Sequence, residues 1–210
     1  MKRFISAFLL CSLASLSAQA ADDNRPNYNY TELSYSTGDF RYGDPLIQEW
    51  DQDGFELEGS YAWANNIWIA GTYSRLKGRS DLDSSQLQFR SFTGRLGYVI
   101  YPSDVFSVDF SFLLRQDRNK LFDTKVKGWG GAVGARVNVW RTELYGRVDY
   151  LADDFRDGYG LDAGGVFRIN ENFGITLSYE RSEYKDRDED KELNDLRQVQ
   201  LGLRFTFPRS

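Results

Sequence analysis

The chain has 210 residues, a formal net charge of −5 and one cysteine. A mild negative charge argues against a nucleic-acid partner, because proteins that bind nucleic acid concentrate basic residues. A single cysteine cannot support a disulfide framework. The length is that of one domain, and no low-complexity stretch divides it. The fold must therefore be held together by its own core or by a membrane.

The first twenty residues have the composition of a secretory signal peptide. Residues 1–3 give a basic start, Phe4 to Leu16 form an apolar run, and Ala18–Ala20 give an A-x-A cleavage pattern. A retained hydrophobic helix is the alternative, but the apolar run is short for a membrane span. We expect export through the Sec pathway, cleavage of a signal peptide over 1–20, and a mature domain over 21–210.

From Asn27 onward, apolar and polar residues alternate in segments that polar or glycine-bearing connections separate. Successive side chains of a strand point to opposite faces, so this alternation predicts β-strands. The clearest segments are Phe55 to Trp63, Phe106 to Leu114 and Val199 to Phe207. With the weaker segments counted, the pattern predicts about ten strands, with eight as the alternative. A slip of the alternation between Phe89 and Phe92 predicts a bulge.

Short and long connections alternate along the chain. The predicted short turns are 64–66, 101–104, 140–142 and 170–172, and the predicted long loops are 37–52, 78–85, 117–127, 152–157 and 185–195. Short turns at one end and longer loops at the other are typical of outer-membrane barrels. With an even number of strands, both termini fall on the short-turn, periplasmic side.

The same alternation would also suit a soluble periplasmic β-protein. Aromatic residues make up 16% of the chain, and they are expected as girdles at both rims of a membrane barrel. The predicted girdle residues are Trp63, Trp68, Tyr98, Tyr101, Trp140, Phe173 and Phe207 at the turn side, and Tyr35, Tyr73, Phe112, Trp129, Tyr150, Tyr159 and Tyr179 at the loop side. A closed barrel also leaves no unpaired strand edge in hydrocarbon. These features favour an all-β, antiparallel, up-and-down transmembrane β-barrel.

Two segments resemble a known family. Residues 51–61 (DQDGFELEGSY) and 65–74 (NNIWIAGTYS) resemble the first full hairpin of the small porin-like outer-membrane β-barrel family of Gram-negative bacteria. The last strand is similar to the C-terminal assembly signal of such proteins, although Pro208–Ser210 follow its final aromatic. The residues of this signal are Val199, Leu201, Leu203, Phe205 and Phe207. The resemblance implies an outer-membrane location and folding by the barrel-assembly machinery, and we expect periplasmic chaperones, outer-membrane lipid and lipopolysaccharide as further partners.

Charged residues fall in the polar phase of the predicted strands, which a membrane barrel turns inward. The candidates are Glu32, Glu56, Glu58, Arg95, Asp109, Arg115, Arg136, Glu143, Arg147, Asp149, Asp162, Arg168, Glu180 and Arg204. Side chains largely fill the interior of a small barrel, and charges buried there must pair to offset desolvation. Acids and arginines in similar number predict a lumen crossed by salt bridges. Whether a narrow wet path remains is left open by the sequence.

The sequence contains no histidine, which excludes a Ser-His-Asp triad and most zinc sites. Glu56 and Glu58 share one strand face and could act as an acid–base pair, but a structural network is favoured. We expect no enzymatic activity, no cofactor and no metal site. The predicted function is a non-enzymatic outer-membrane barrel, structural or narrow and porin-like. A surface-binding or adhesion barrel that acts through its extracellular loops is the alternative, followed by a lipid-modifying enzyme.

The segment from Glu183 to Asp195 is dense in charges of both signs. Aspartates at positions 186, 188 and 190 alternate in a way that hard cations can use. Lys191 and Arg197, however, stand where an EF-hand loop has glycine and glutamate. A solvated loop is therefore favoured, and attachment to lipopolysaccharide through bridging cations is a further hypothesis.

Overall fold

The computed structural model describes residues 25–42, 48–63, 66–80, 86–119, 124–153, 156–186 and 192–207. The strands are β1 (Tyr30–Tyr42), β2 (Gln48–Trp63), β3 (Ile67–Ser80), β4 (Gln86–Ser103), β5 (Phe106–Asn119), β6 (Thr124–Val139), β7 (Thr142–Asp153), β8 (Arg156–Arg168), β9 (Phe173–Asp186) and β10 (Glu192–Thr206). Each strand pairs antiparallel with the next, and β10 returns to β1 to close a barrel. The all-β barrel of ten strands is therefore confirmed. Among these residues, no helix is long and apolar enough to cross a membrane.

The predicted signal peptide over 1–20 and the tail Pro208–Ser210 lie outside the described residues. The division of the chain into 1–20 and 21–210 stays a prediction.

Alternation gives the barrel an apolar outer surface and a polar interior. On β2, Phe55 and Leu57 are 60% and 44% exposed, whereas Glu58 faces an interior cavity. On β10, Leu203 is 63% exposed and its neighbour Arg204 is 6% exposed. An outer band of large apolar side chains, broken by few polar ones, is what lipid-facing strands require.

The two ends of the barrel differ in their connections. The start of β1 and the end of β10 lie at one end of the barrel, which we name the turn end, and the strands joined by the connections 64–66, 104–105, 140–141 and 169–172 also meet there. The opposite end, named the loop end, carries the connections 43–47, 81–85, 120–123, 154–155 and 187–191.

The predicted long loops are wrong in their bounds, because much of their sequence is paired strand. Between β1 and β2, for example, pairing continues as far as Tyr42 and Gln48, so most of the predicted loop 37–52 belongs to the two strands. Polar composition does not end a strand, since backbone groups beyond the hydrocarbon still bond to each other in a ladder.

The predicted bulge between Phe89 and Phe92 is also wrong. The register of β4 with β3 runs unbroken through both residues. Phe89 lies 5.1 Å from the ring of Phe40, whereas Phe92 is 54% exposed on the outer surface. The two rings therefore belong to opposite faces of a regular strand. The irregularity of β4 lies instead where its register with β5 shifts, between Ile100 and Ser103.

Most of the predicted girdle aromatics are exposed on the outer surface, but Trp68 and Tyr101 are not. Tyr101 is half-buried and packs against the interior cluster to which Trp68 belongs. Trp68 is 2% exposed and packs inside the turn end with Val99 and Tyr28. It lies in register with Gly97, and a Cβ at that position would overlap the indole ring. The prediction failed because Trp68 is a large apolar residue in the inward phase, where the neighbouring glycine makes room for it.

Candidate functional site in the barrel interior

A cluster of ion pairs crosses the interior near the turn end, and we name it the turn-end network: Glu32, Arg136, Glu143, Arg168 and Arg204. Arg204 donates from Nε to Glu32 Oε2 at 2.7 Å and from Nη1 to Glu143 Oε1 at 3.1 Å. Arg136 Nη1 donates to the same oxygen of Glu143 at 3.2 Å, and Arg168 Nη2 donates to the other oxygen at 3.5 Å. One carboxylate, 3% exposed, thus receives three guanidinium groups from β6, β8 and β10.

Tyr30 extends this network across the barrel. Tyr30 begins β1, and the closed strand order puts β6, which carries Arg136, diametrically opposite. Arg136 Nη2 donates to the Tyr30 hydroxyl at 3.3 Å, and that hydroxyl donates to Glu58 Oε1 at 2.5 Å. The guanidinium of Arg204 lies 4.1 Å from the Tyr30 ring centroid, a favourable cation–π distance. Side chains therefore bridge the full width of the lumen.

The residues before β1, which we name the crossing segment (residues 25–29), lie across the turn end. The Tyr28 hydroxyl donates to Asp109 Oδ2 on β5 at 3.0 Å, and Tyr28 is 1% exposed. Burial raises the pKa of Tyr28 well above its ordinary value, which keeps the hydroxyl protonated as a donor. Arg25 forms an ion pair of 3.1 Å with Asp104 in the β4–β5 turn. The segment thus reaches from β1 to the far side of the opening.

Backbone and amide contacts anchor the crossing segment to both neighbours of β1. The Ala62 N–H donates to Asn29 Oδ1 at 2.6 Å, and the Phe207 N–H donates to the Asn29 carbonyl at 2.8 Å. Asn27 Nδ2 donates to the Phe207 carbonyl at 2.9 Å. These bonds hold the segment against β2 and against the residue that follows β10, so its path is set by the barrel itself.

Between the turn-end network and the loop end, the interior holds a polar cavity of about 110 Å³, which has room for several water molecules. The predicted interior residues that line it are Glu32, Glu56, Glu58, Arg95, Arg115, Arg136, Arg147, Asp149, Asp162, Glu180 and Arg204. Arg147 Nη2 donates to Asp162 Oδ2 at 2.8 Å, and Arg95 Nη1 lies 3.6 Å from Glu58 Oε2. The chemistry that this arrangement offers is ion pairing and the ordering of water.

The carboxylates of the cavity differ in their partners. Glu58 accepts from Tyr30 and also from Thr72 Oγ1 at 3.2 Å. Glu180 accepts from Gln198 Nε2 at 2.6 Å. Within the part of the chain that the structure describes, Glu56 makes neither a hydrogen bond nor a salt bridge. Glu56 and Glu58 therefore share a face but not an environment.

Two of the predicted residues lie toward the two ends of the interior. Asp109 meets the crossing segment, as described above, and Arg115 pairs with Asp117 at 2.8 Å near the loop end. On the assembly-signal strand, Val199, Leu201 and Leu203 are exposed on the outer surface. The same phase continues through two further aromatic residues, Phe205 and Phe207, whose ring centroids lie 4.9 Å apart.

Sequence reasoning missed the tyrosines of the interior. Tyr30 lies two residues before Glu32 on the same strand, so the alternation could have predicted that Tyr30 also faces the interior. Tyr145 lies with its ring centroid 5.7 Å from Arg204 and is likewise in phase with Glu143. Tyr28 precedes the first strand, and no local pattern indicates that its ring enters the barrel.

Comparisons with known proteins agree with this architecture. Residues 7–207 match the family model of the outer membrane protein beta-barrel domain. The beta domain of the Bordetella autotransporter Brka is 8% identical with a TM-score of 0.52, over 86% of this chain and 100% of that one.

Two further solved structures are similar. The KdgM porin is 13% identical, covering 84% of this chain and 99% of that one, with a TM-score of 0.46. Neisserial surface protein A is 12% identical, covering 85% and 96%, with a TM-score of 0.45. At these identities the likenesses concern the fold alone. Among curated proteins, none matches the chain.

Proposed function

This chain belongs to the outer membrane protein beta-barrel domain family and resides in the outer membrane, and on that premise we propose that it is a non-enzymatic structural barrel whose own side chains close its lumen. Of the two forms that the sequence left open, structural or narrow and porin-like, the interior geometry favours the first. The turn end, where the short connections lie, faces the periplasm in this proposal.

The observation that carries the proposal is the hydrogen bond between Arg136 and Tyr30. Their strands lie on opposite sides of the ring, so a bond of 3.3 Å between the two side chains leaves no wide path between them. The pairing of Glu143 with three arginines supports closure, because separating these charges would leave a buried carboxylate or guanidinium without its partner. The crossing segment, which lies across the turn end, is a second obstruction in the lumen.

Conductance across a planar bilayer tests the proposal. Refolded protein is added to the bilayer at neutral pH, and insertion is verified separately by the heat-dependent migration of the folded barrel on gels. We expect no discrete conductance steps from inserted protein. Stable, reproducible steps from the unaltered protein would contradict a closed lumen and would favour the narrow porin-like alternative.

A second candidate, binding at the cell surface, is favoured by the length of the strands. A membrane strand needs about 9–11 residues, whereas β2 has 16 and β4 has 18. The additional strand residues extend the paired strands beyond the membrane at the loop end, and this extension offers a surface for a binding partner. Replacing residues 187–191 by a short glycine–serine linker should then abolish binding to surfaces and leave conductance unchanged.

A further inference from the structure

Glu56 is an acidic residue of the interior cavity that has no hydrogen-bond or salt-bridge partner among the described residues. Glu180 and Glu58 are the like charges that act on it most strongly, and both repel its carboxylate. Arg95 attracts it, but Arg95 Nη1 lies 3.6 Å from Glu58 Oε2. A carboxylate enclosed among like charges must take up a proton or bind a cation to offset its desolvation. A positively charged ligand would therefore be stabilised beside Glu56.

Gln198 presents a buried acceptor to the same cavity. It lines the cavity and is 5% exposed. Its Nε2 donates to Glu180 Oε2 at 2.6 Å, and within the described part of the chain its Oε1 has no donor. Exchanging the two ends of the amide would place Oε1 against the carboxylate, so Nε2 must be the donor of this pair. A buried acceptor without a donor is unfavourable, and a ligand with N–H groups would satisfy it.

Glu180 provides a second carboxylate that is held by neutral groups. Its oxygens accept from Gln198 Nε2 and, at 3.5 Å, from Ser182 Oγ. Asp162 lies in register with Glu180 on the next strand and already has Arg147 at 2.8 Å, whereas Glu180 forms no ion pair with any described residue. We name Glu56, Glu180 and Gln198 the acceptor cluster.

The cavity is apolar on the loop side of the acceptor cluster. On β10, Leu196 lies one strand repeat, about 7 Å, from Gln198 toward the loop end. On β3, Leu76 lies in register with Gly54, which is one repeat from Glu56 toward the loop end of β2. Both leucines line the cavity. A ligand with a charged group at one end would therefore meet leucine side chains at its other end.

An ammonium group suits the acceptor cluster better than a metal ion does. No group of three or more acidic side chains in the described ranges is placed to hold a metal ion. An ammonium group has three N–H donors and no acceptor, which match two carboxylates and one amide oxygen. The cavity of about 110 Å³ has room for this group with a short alkyl chain. Because the turn-end network and the crossing segment obstruct the turn end, such a ligand would enter from the loop end.

We propose that the interior cavity binds a small primary alkylamine in its protonated form. The ammonium group donates to Glu56, Glu180 and Gln198, and the alkyl chain packs against the leucines on the loop side. This binding site goes beyond the proposed structural role of the barrel. It depends on the folded interior, and a conducting lumen would not contradict it, since the acceptors would stay in place.

Titration of the refolded barrel with matched short-chain probes tests the proposal. The probes n-butylammonium, n-butanol and n-butyrate have similar chains and differ in the charge of the head group. Calorimetry is carried out in nonionic detergent and mildly alkaline buffer, in which carboxylates are ionised and an alkylammonium keeps its proton. Charge-assisted hydrogen bonds should make n-butylammonium bind at least about tenfold more tightly than either other probe. Equal binding of n-butanol or n-butyrate, or no saturable binding of n-butylammonium, would overturn the proposal.

Substitution of Glu56 assigns the binding to the acceptor cluster. Glu56→Gln should bind n-butylammonium at least about tenfold more weakly. The control Asp53→Asn removes one negative charge from the outward phase of the same strand and should stay within about threefold of the unaltered protein. If both variants lose binding equally, net charge and not the cluster is responsible, and the proposal fails. Should Glu56→Gln not refold, Glu180→Gln replaces it with the same expectation.

Two further titrations define the class of ligand. Methylammonium should bind at least about tenfold more weakly than n-butylammonium, because it buries fewer methylene groups against the leucines. Equal binding of these two amines would contradict the place of the alkyl chain. Sodium and magnesium chloride should compete poorly with n-butylammonium at matched ionic strength. If either salt displaces it as effectively as methylammonium does, the site holds metal cations and the amine assignment is wrong.

Discussion

The guanidinium group of Arg204 lies 4.1 Å from the ring centroid of Tyr30, so the last strand contacts the first residue of the first strand through a cation–π pair. The same ring lies 5.5 Å from the guanidinium of Arg136 on the far side of the barrel. Closure of this barrel therefore involves interior side chains as well as the hydrogen-bond ladder between β1 and β10.

Glu143→Gln should be the most destabilising single isosteric change in the turn-end network. The change leaves Arg136, Arg168 and Arg204 without their shared carboxylate charge, and removing one partner of a buried ion pair costs about 3–5 kcal/mol. Urea unfolding of the protein in lipid vesicles, followed by tryptophan fluorescence, measures the loss. Glu171→Gln in the exposed β8–β9 turn is the control and should change the free energy of unfolding by less than about 0.5 kcal/mol. Equal effects would contradict the importance of the shared carboxylate.

The double substitution Tyr28→Ala and Tyr30→Ala should convert a silent barrel into a conducting one. It removes the ring of the crossing segment and the side chain that bridges to Arg136, so water gains a path through the turn end. Single-channel recording in planar bilayers detects the steps. Tyr61→Ala, which truncates an outward tyrosine that is 46% exposed, should remain silent. Silence of the double variant with intact β-structure would mean that other side chains form the barrier.

Glu58→Gln and Glu56→Gln should differ although the residues share one strand face. Glu58 accepts hydrogen bonds from Tyr30 and Thr72, and loss of its charge should cost about 2 kcal/mol, as for hydrogen bonds to ionised groups. Glu56 has no such partner among the described residues, so the Glu56→Gln variant loses no hydrogen bond and its free energy of unfolding should be no lower than that of the parent. Urea titrations of the two variants in parallel decide the point. A larger loss for Glu56→Gln would show that the assigned partners are wrong.

Gly97→Ala should destabilise the turn end because the new methyl group would overlap the Trp68 indole. Overpacking of this kind costs about 1–3 kcal/mol. On the same strand, a Cβ at Gly94 meets no atom within 4 Å, so Gly94→Ala should be neutral or slightly stabilising. Thermal or urea unfolding of the two variants gives the comparison. The expectation fails if both alanine variants have the same stability.

Much of the barrel surface could be predicted because side-chain alternation is a local property. Leu57 and Glu58 point apart whatever the rest of the chain does, and the same holds for Leu203 and Arg204. The predicted limits of the loops failed because polarity marks where hydrocarbon ends and not where backbone pairing ends. The prediction that Trp68 belongs to the outer girdle failed for a different reason. Its ring fits inside the barrel because Gly97, its partner on the next strand, has no side chain.

The sequence by itself determined the period of two, and with it which side chains meet lipid and which turn inward. Only the tertiary structure decided which inward side chains meet each other. Arg136 and Tyr30 are 106 residues apart in the chain, and they come together because ring closure puts β6 opposite β1. A two-residue repeat does not specify the number of strands or the distance across a closed ring. The contacts that fill the lumen therefore depend on the geometry of the whole barrel.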